Sequence, residues 1–133
     1  MPEFSDDLAR VPLFSGLSSR QLKKLASSFR ERTYGSGITI VREAQMSGVG
    51  FFVIVDGTAT VSIDGGAVRK LGAGDYFGEI ALLADAPRTA SVTAETDLTC
   101  WGLVSWAFRP IVEANGPIAW KLLQAMARIY TKN

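Results

Sequence analysis

The sequence predicts a mainly β domain with a helix-forming segment at each end. Two observations predict it. From Tyr34 onward, short apolar stretches recur between turn-forming residues, and several alternate with a period of two. Before and after that region the apolar residues return every three or four positions instead. Strands this short and this numerous are compatible with a sandwich, a barrel or a jelly roll. A chain of 133 residues is one domain by size, and 47% hydrophobic residues can fill one sizeable core.

The elements follow in order. "RVPLFSGL" reads as a turn that tucks Leu13 and Phe14 inward. In "LSSRQLKKLASSFRERTY", Leu17, Leu22, Leu25, Ala26 and Phe29 sit at helical spacing, with Ser18 or Ser19 as the N-cap. Arg20, Lys23, Lys24, Arg30 and Arg32 fall largely on the other face and read as solvated. "GITIVRE" turns Ile38 and Ile40 inward, and "GFFVIVDG" is an apolar run suited to a fully buried strand. "TATVSIDGG" alternates Ala59, Val61 and Ile63 before a hairpin turn at Asp64-Gly65-Gly66. "AVRKLGAGDYF" continues with Val68, Leu71, Tyr76 and Phe77. "TASVTAET" alternates Ala90, Val92 and Ala94, and "LTCWGLV" closes the set, with Cys100 a small buried hydrophobe.

The end is helical. Ser105 can cap a helix from Trp106, although Pro110 calls for a kink or a later start near Arg109. Trp101 and Trp106 read as core. Gly116-Pro117 stops that element and opens the next, since proline suits a first turn. That last helix carries two apolar stripes: Ile118, Leu122, Met126 and Ile129, and Trp120, Leu123, Ala127 and Tyr130. One can dock on the domain, and the second is left for a ligand or a partner helix.

Composition narrows function. A net charge of +1 leaves no electrostatic footprint for nucleic acid or a membrane surface. No apolar run reaches transmembrane length, and the acidic start lacks a signal peptide's apolar region. The single cysteine cannot form an intrachain disulfide, so a cytoplasmic location is expected. The absence of histidine removes the common zinc sites, the Ser-His-Asp arrangement and the commonest general base. A binding protein without metal or cofactor is expected rather than an enzyme. Gly72, Gly74 and Gly78 do not make a dinucleotide loop, because the spacing is wrong and no alternating βαβ pattern surrounds them.

The stretch Phe77 to Val92, "FGEIALLADAPRTASV", sets Glu79 and Arg88 among almost wholly apolar neighbours. Charges in such company need partners. Gly78 permits a close backbone approach. "EIALLADA" reads as about two helical turns whose first N–H groups, near Ile80 and Ala81, form an anion seat. Arg88 begins a strand. A carboxylate, a helix start and a guanidinium fork together suit a ligand that pairs a phosphate with a hydroxyl.

These residues resemble the phosphate-binding cassette of cyclic nucleotide-binding domains. The match runs Phe77-Gly78-Glu79-Ile80-Ala81-Leu82-Leu83, three spacers, then Pro87-Arg88-Thr89-Ala90. "PLFSGLS", "GFFVIVDGTATVSI" and "LGAGDYFGEIALL" look like family features in family order. The resemblance implies an eight-stranded jelly roll, or double-stranded β-helix, with flanking helices. It divides the single domain 1–133 into a helical segment 1–33, a jelly roll 34–104 with the cassette at 77–90, and lid helices 105–133. It implies that Glu79 holds the ribose 2′-hydroxyl and Arg88 the cyclic phosphate. Gly78, Ile80 and Ala81 would add backbone contacts, and Thr89 and Ala90 would line the phosphate side. Val61, Val68 and Leu71 would wall the base. The implied ligand is cAMP in preference to cGMP, although the Thr89 hydroxyl could also reach a guanine amino group. The implied mechanism is a non-catalytic sensor whose C-terminal helices move on binding, with a homodimer through the last helix and a separate downstream protein as partners. The alternatives are a ligand-free dimerisation module and the sensor fragment of a larger regulator. The ending "IYTKN" has no linker composition, which favours a complete small protein, and nothing in the chain serves as a DNA-binding helix-turn-helix.

Overall fold

The computed structural model describes residues 4–42, 50–78, 82 and 88–131. Two compact units emerge, Arg30–Ser105 and the pair of segments Met1–Phe29 and Trp106–Asn133.

Among the described residues, the first unit is built of eight strands: β1 (Arg30–Tyr34), β2 (Thr39–Val41), β3 (Phe51–Asp56), β4 (Ala59–Ile63), β5 (Gly66–Leu71), β6 (Tyr76–Phe77), β7 (Ser91–Ala94) and β8 (Leu98–Leu103). They pair antiparallel in two four-stranded sheets, ordered β1-β8-β3-β6 and β2-β7-β4-β5. Each sheet takes alternate pairs of the strand sequence, which is the winding of a jelly roll and selects that form among the all-β possibilities. The core between the sheets holds Phe52, Ile54, Phe77, Leu98 and Cys100 from one sheet and Val41, Ala59, Leu71, Val92 and Ala94 from the other. Phe52 and Phe77 stack with centroids 5.1 Å apart.

The hairpin between β4 and β5 turns on Asp64 and Gly65, both at positive φ (52° and 80°). That is the backbone a two-residue type I′ turn requires and that Asp-Gly favours. Three apolar residues expected inside are exposed instead, each beside a register shift. Between Thr39 and Val41 the β2–β7 pairing slips, so Val41 faces the core while Ile38 is half exposed. In β3 the shift lies between Ile54 and Asp56 and leaves Val55 outside an otherwise buried run. In the β4–β5 pair, Val61 faces Arg69 while Ser62 faces Ala67, so Val68 is the extra residue of a bulge and is 58% exposed. A one-residue slip moves side chains to the other face, and local alternation cannot reveal it. Ile63, at the hairpin tip, is also exposed.

In the second unit, helix α1 (Phe4–Ala9) and a 3-10 turn at Pro12–Phe14 precede α2 (Ser19–Ala26). Leu13 and Phe14 are buried, as expected. Ser18 caps α2 by a capping box: its Oγ accepts from the Gln21 N–H at 3.2 Å, and its own N–H donates to Gln21 Oε1 at 2.9 Å. The helix ends at Ala26, seven residues short of the expected helical segment 1–33. Ser27 Oγ donates to the Lys24 carbonyl at 2.6 Å, a bond that competes with helix continuation. Arg30–Tyr34 then pairs along β8, and this non-local ladder overrides local helical spacing.

Helix α3 (Ser105–Glu113) runs through Pro110 without a later start. It buries Phe108, whose ring lies 6.4 Å from Phe14. Trp106, expected in the core, is 65% exposed, because two residues along a helix is more than half a turn from Phe108. Trp101, in β8, is half-buried. Asn115 caps α4 (Gly116–Thr131) by accepting from the Ile118 N–H at 3.3 Å, with Pro117 in the first turn. Lys121 Nζ donates to Gln21 Oε1 at 3.0 Å and ties α4 to α2. Along α4, Ile118, Leu122 and Ala125 are buried, while Trp120, Leu123 and Ala127 are exposed. The two-stripe expectation therefore divides into a docked stripe and a bare one. Among the described residues, no helix is long and apolar enough to cross a membrane.

Candidate functional site

A cavity of about 510 Å³ opens against the inner face of the β2-β7-β4-β5 sheet. That volume lies in the range of small-molecule sites. One cross-strand row makes much of its wall. Val41 pairs with Val92, Val92 with Val61, and Val61 with Arg69, and all four line the cavity. Residues directly opposite on paired strands share a face, so this row is three valines ending in a guanidinium. Leu71 and Phe77 add apolar wall.

The polar end is built by Gly78 and Arg88. Gly78 follows β6 with φ +89°, a conformation that glycine alone adopts readily. A Cβ there would stand 2.6 Å from the Gly50 carbonyl oxygen and 2.8 Å from Arg88 Nη1. The backbone thus passes directly beside the guanidinium, the close approach that the sequence anticipates at this glycine. Arg88 is 9% exposed, and its Nη2 donates to the Gly50 carbonyl at 2.9 Å. Burial pushes the guanidinium pKa down from its ordinary value, a measure of how much the cation loses by leaving water. The Gly50 carbonyl is an acceptor that helps fix the orientation of the fork. A buried cation held this way on a cavity wall is suited to an anion.

The expected site residues divide as follows. Gly78, Arg88, Thr89 and Ala90 line the cavity together. Glu79, Ile80 and Ala81 lie outside the described residues, as does the helix expected from Glu79 to Ala86 apart from Leu82, which is buried. Of the three residues expected to wall a base, Val61 and Leu71 do line the cavity and Val68 does not, because the bulge presents Arg69 opposite Val61 in its place. Arg69, Val41 and Val92 were not anticipated as lining. Alternation marks Val92 as inward but, with Ile38 and Ile40 expected inside, turns Val41 outward; only the β2–β7 pairing with its register shift puts both on this wall.

Comparison with known proteins agrees with this geometry. A family model described as the cyclic nucleotide-binding domain matches residues 31–115. A cAMP-dependent protein kinase regulatory subunit from Debaryomyces hansenii is 45% identical over 92 residues, covering 68% of this chain and 20% of that protein. A cyclic nucleotide-gated potassium channel from Rhizobium etli is 36% identical over 112 residues, covering 84% of this chain and 31% of that protein. The solved N-terminal domain of a transcriptional regulator from Streptomyces coelicolor A3(2) superposes with a TM-score of 0.85 at 31% identity, covering 96% of this chain and 94% of that one. The chain spans between 20% and 31% of the length of the curated relatives it matches. With the match across most of the jelly roll and a fold shared almost end to end, the chain belongs to the cyclic nucleotide-binding domain family.

Proposed function

We propose that this chain, residues 1–133, is a single non-catalytic sensor domain that binds a cyclic nucleotide in the cavity described above, cAMP in preference to cGMP. The observation that carries the reading is the buried Arg88 guanidinium on the cavity wall beside Gly78. Its role is to hold the cyclic phosphate with two parallel donors. Glu79 accepts from the ribose 2′-hydroxyl, backbone groups of Gly78, Ile80 and Ala81 complete the phosphate seat, and Thr89 and Ala90 line its side. The preference for cAMP is supported by relatives named for cAMP-dependent kinase regulation. A cytoplasmic location is part of the same proposal.

Signalling on this reading is a shift of population. Ligand changes the balance of conformations only through contacts that differ between them, and the C-terminal helices, residues 105–133, carry the change onward. The bare stripe of α4, with Trp120 62% and Leu123 61% exposed, supports a partner there, a second copy in the first instance, with a separate protein downstream. The same stripe favours the second reading, a dimerisation module that takes no ligand. A third, a sensor portion of a larger regulator, is supported by the small share of each curated relative that the chain spans.

Calorimetric titration with cAMP and cGMP tests the proposal. Charge-assisted hydrogen bonds contribute about 1.5–3 kcal/mol. Arg88→Ala is therefore expected to weaken binding roughly ten- to 150-fold. Unchanged affinity would remove Arg88 from the site, and no binding of either nucleotide by the natural sequence would leave the ligand-free module.

A further inference from the structure

Charge is divided unevenly between the two units. Segments 1–29 and 106–133 hold eight basic and four acidic residues, whereas 30–105 holds six basic and nine acidic. The net charge of +1 conceals this division, so it does not describe what each surface attracts. Within the helical unit the excess is local. At the end of α1, Arg10 pairs with Asp7, and on α3, Arg109 pairs with Glu113 at 3.1 Å. Helices α2 and α4 carry Arg20, Lys23, Lys24, Lys121 and Arg128 and no carboxylate. On α2 the three cations are exposed opposite the buried Leu22 and Leu25. The two helices lie side by side. Lys121 Nζ reaches Gln21 Oε1, and the Arg128 tip is 3.4 Å from where a Cβ on Gly16 would stand, just before the Ser18 cap. Among the described residues Arg20, Lys24, Lys121 and Arg128 make no ion pair. Like charges three or four positions apart repel, so this face gains nothing for the fold and suits an anionic partner.

The apolar residues beside these cations narrow the choice of partner. Arg128 follows Trp120 by eight residues and so returns to within about a quarter turn of it. Helix α4 therefore presents a bare indole, Leu123 and a guanidinium together, and Trp106 on α3 is bare as well. A soluble polyanion satisfies the cations and leaves Leu123 in water. A bilayer surface satisfies both kinds of group: headgroup phosphates meet the cations, while tryptophan and leucine enter the boundary with the acyl chains. We propose that the α2–α4 face of the helical unit is a peripheral docking surface for a bilayer containing anionic phospholipid. It goes beyond the cyclic-nucleotide reading and does not depend on it. The bare stripe of α4 serves one surface at a time, so lipid and a second copy exclude each other there.

Co-sedimentation of residues 1–133 with lipid vesicles tests this. Phosphatidylcholine vesicles with about one third phosphatidylserine are expected to retain the protein, and vesicles of phosphatidylcholine alone to retain far less. Added salt should release it, because screening acts on exposed charges. Each exposed cation near an anionic leaflet is worth about fivefold in affinity, so Arg20→Gln with Lys24→Gln should weaken binding roughly 25-fold. Arg42→Gln removes an exposed cation from the β unit and should change binding little. Trp120→Ala should weaken binding and reduce the blue shift of tryptophan fluorescence on adding vesicles. All these side chains but Arg42 belong to exposed helix positions, and a melting temperature close to that of the natural sequence shows that each variant is folded. No retention by the phosphatidylserine vesicles at low salt, or equal retention without phosphatidylserine, overturns the proposal. So does a loss with Arg42→Gln as large as with the α2 pair, which would reduce the effect to net charge. Retention by RNA or polyglutamate but not by vesicles overturns it and gives the face to a soluble polyanion. A dimer that Trp120→Ala dissociates, with no vesicle binding, overturns it and gives the stripe to a second copy.

Discussion

Gly57 and Gly78 share a backbone conformation, with φ of +98° and +89°, and each lies where a second segment crosses too closely for a side chain. What crosses them differs. At Gly57, between β3 and β4, a Cβ would meet the Asp97 carbonyl, the Thr96 hydroxyl at 2.9 Å and Leu98 Cα at 3.1 Å. The Thr58 N–H donates to Thr96 Oγ1 at 3.0 Å, the Glu95 N–H donates to the Thr58 carbonyl at 2.9 Å, and Ser36 Oγ donates to the Glu95 carbonyl at 2.7 Å. Three turns are tied together there by backbone and hydroxyl groups. At Gly78 the neighbours are one carbonyl and the tip of a buried arginine. The same glycine geometry closes a frame in one place and admits a charged side chain in the other. A close approach therefore signals function only once the group that approaches is known.

Substitution at each glycine is the sharpest way to break this comparison. Gly57→Ala is expected to have the largest effect on stability. Backbone strain of about 1–3 kcal/mol adds to overpacking of similar size, because the opposing atoms belong mostly to backbone and cannot swing away. Thermal unfolding measures the loss, and affinity per folded molecule should stay near that of the natural sequence. Gly78→Ala carries similar backbone strain and also meets a backbone atom, the Gly50 carbonyl oxygen at 2.6 Å. Its second close contact, the Arg88 tip, can move, so the loss of stability is expected to be smaller and the loss of affinity larger. Displacing the fork should weaken cyclic nucleotide binding by roughly tenfold or more. Equal losses of affinity at both positions would abolish the distinction.

The core joining the two turns gives the smallest expected effect. Burial pushes the Cys100 thiol from 9.0 up to about 11, with Arg32 opposing slightly. The fold thus keeps this proton longer than the unfolded chain does. Its contribution to stability is complete below pH 9.0 and lost as the pH rises toward about 11. Burial raises Tyr34 as well, in the same direction. The melting temperature is expected to fall over that alkaline window, and Cys100→Ala to make the fall shallower. Neither residue lines the cavity, so affinity measured below pH 9.0 should not follow the substitution.

Local chemistry was legible in the chain. The N-cap at Ser18 or Ser19, the Asp64-Gly65 turn and the Pro117 start of α4 depend on residues within a few positions of each other. The structure takes Ser18 as the cap and adds Gln21 as its reciprocal partner, and the turn and α4 formed where the pattern placed them. The glycine and arginine of the site were legible for a related reason: a charge amid apolar residues and a glycine before it imply burial and close approach wherever the chain goes. Which residue closes the valine row was not legible. Whether Val68 or Arg69 stands opposite Val61 is set by one extra residue in a ladder between two strands, and Ile38 and Val55 left the core for the same reason.

By itself, the sequence determined the mainly β class, a serine cap on α2, the tight turn, a close approach at Gly78 and the need of Arg88 for a partner, because propensity, capping and desolvation act on near neighbours or on single residues. Only the tertiary structure decided where α2 yields to β1, which stripe of α4 stays bare, and that an arginine closes the valine row of the cavity. Register and burial are properties of contacts between distant segments, and no periodicity within one segment specifies them.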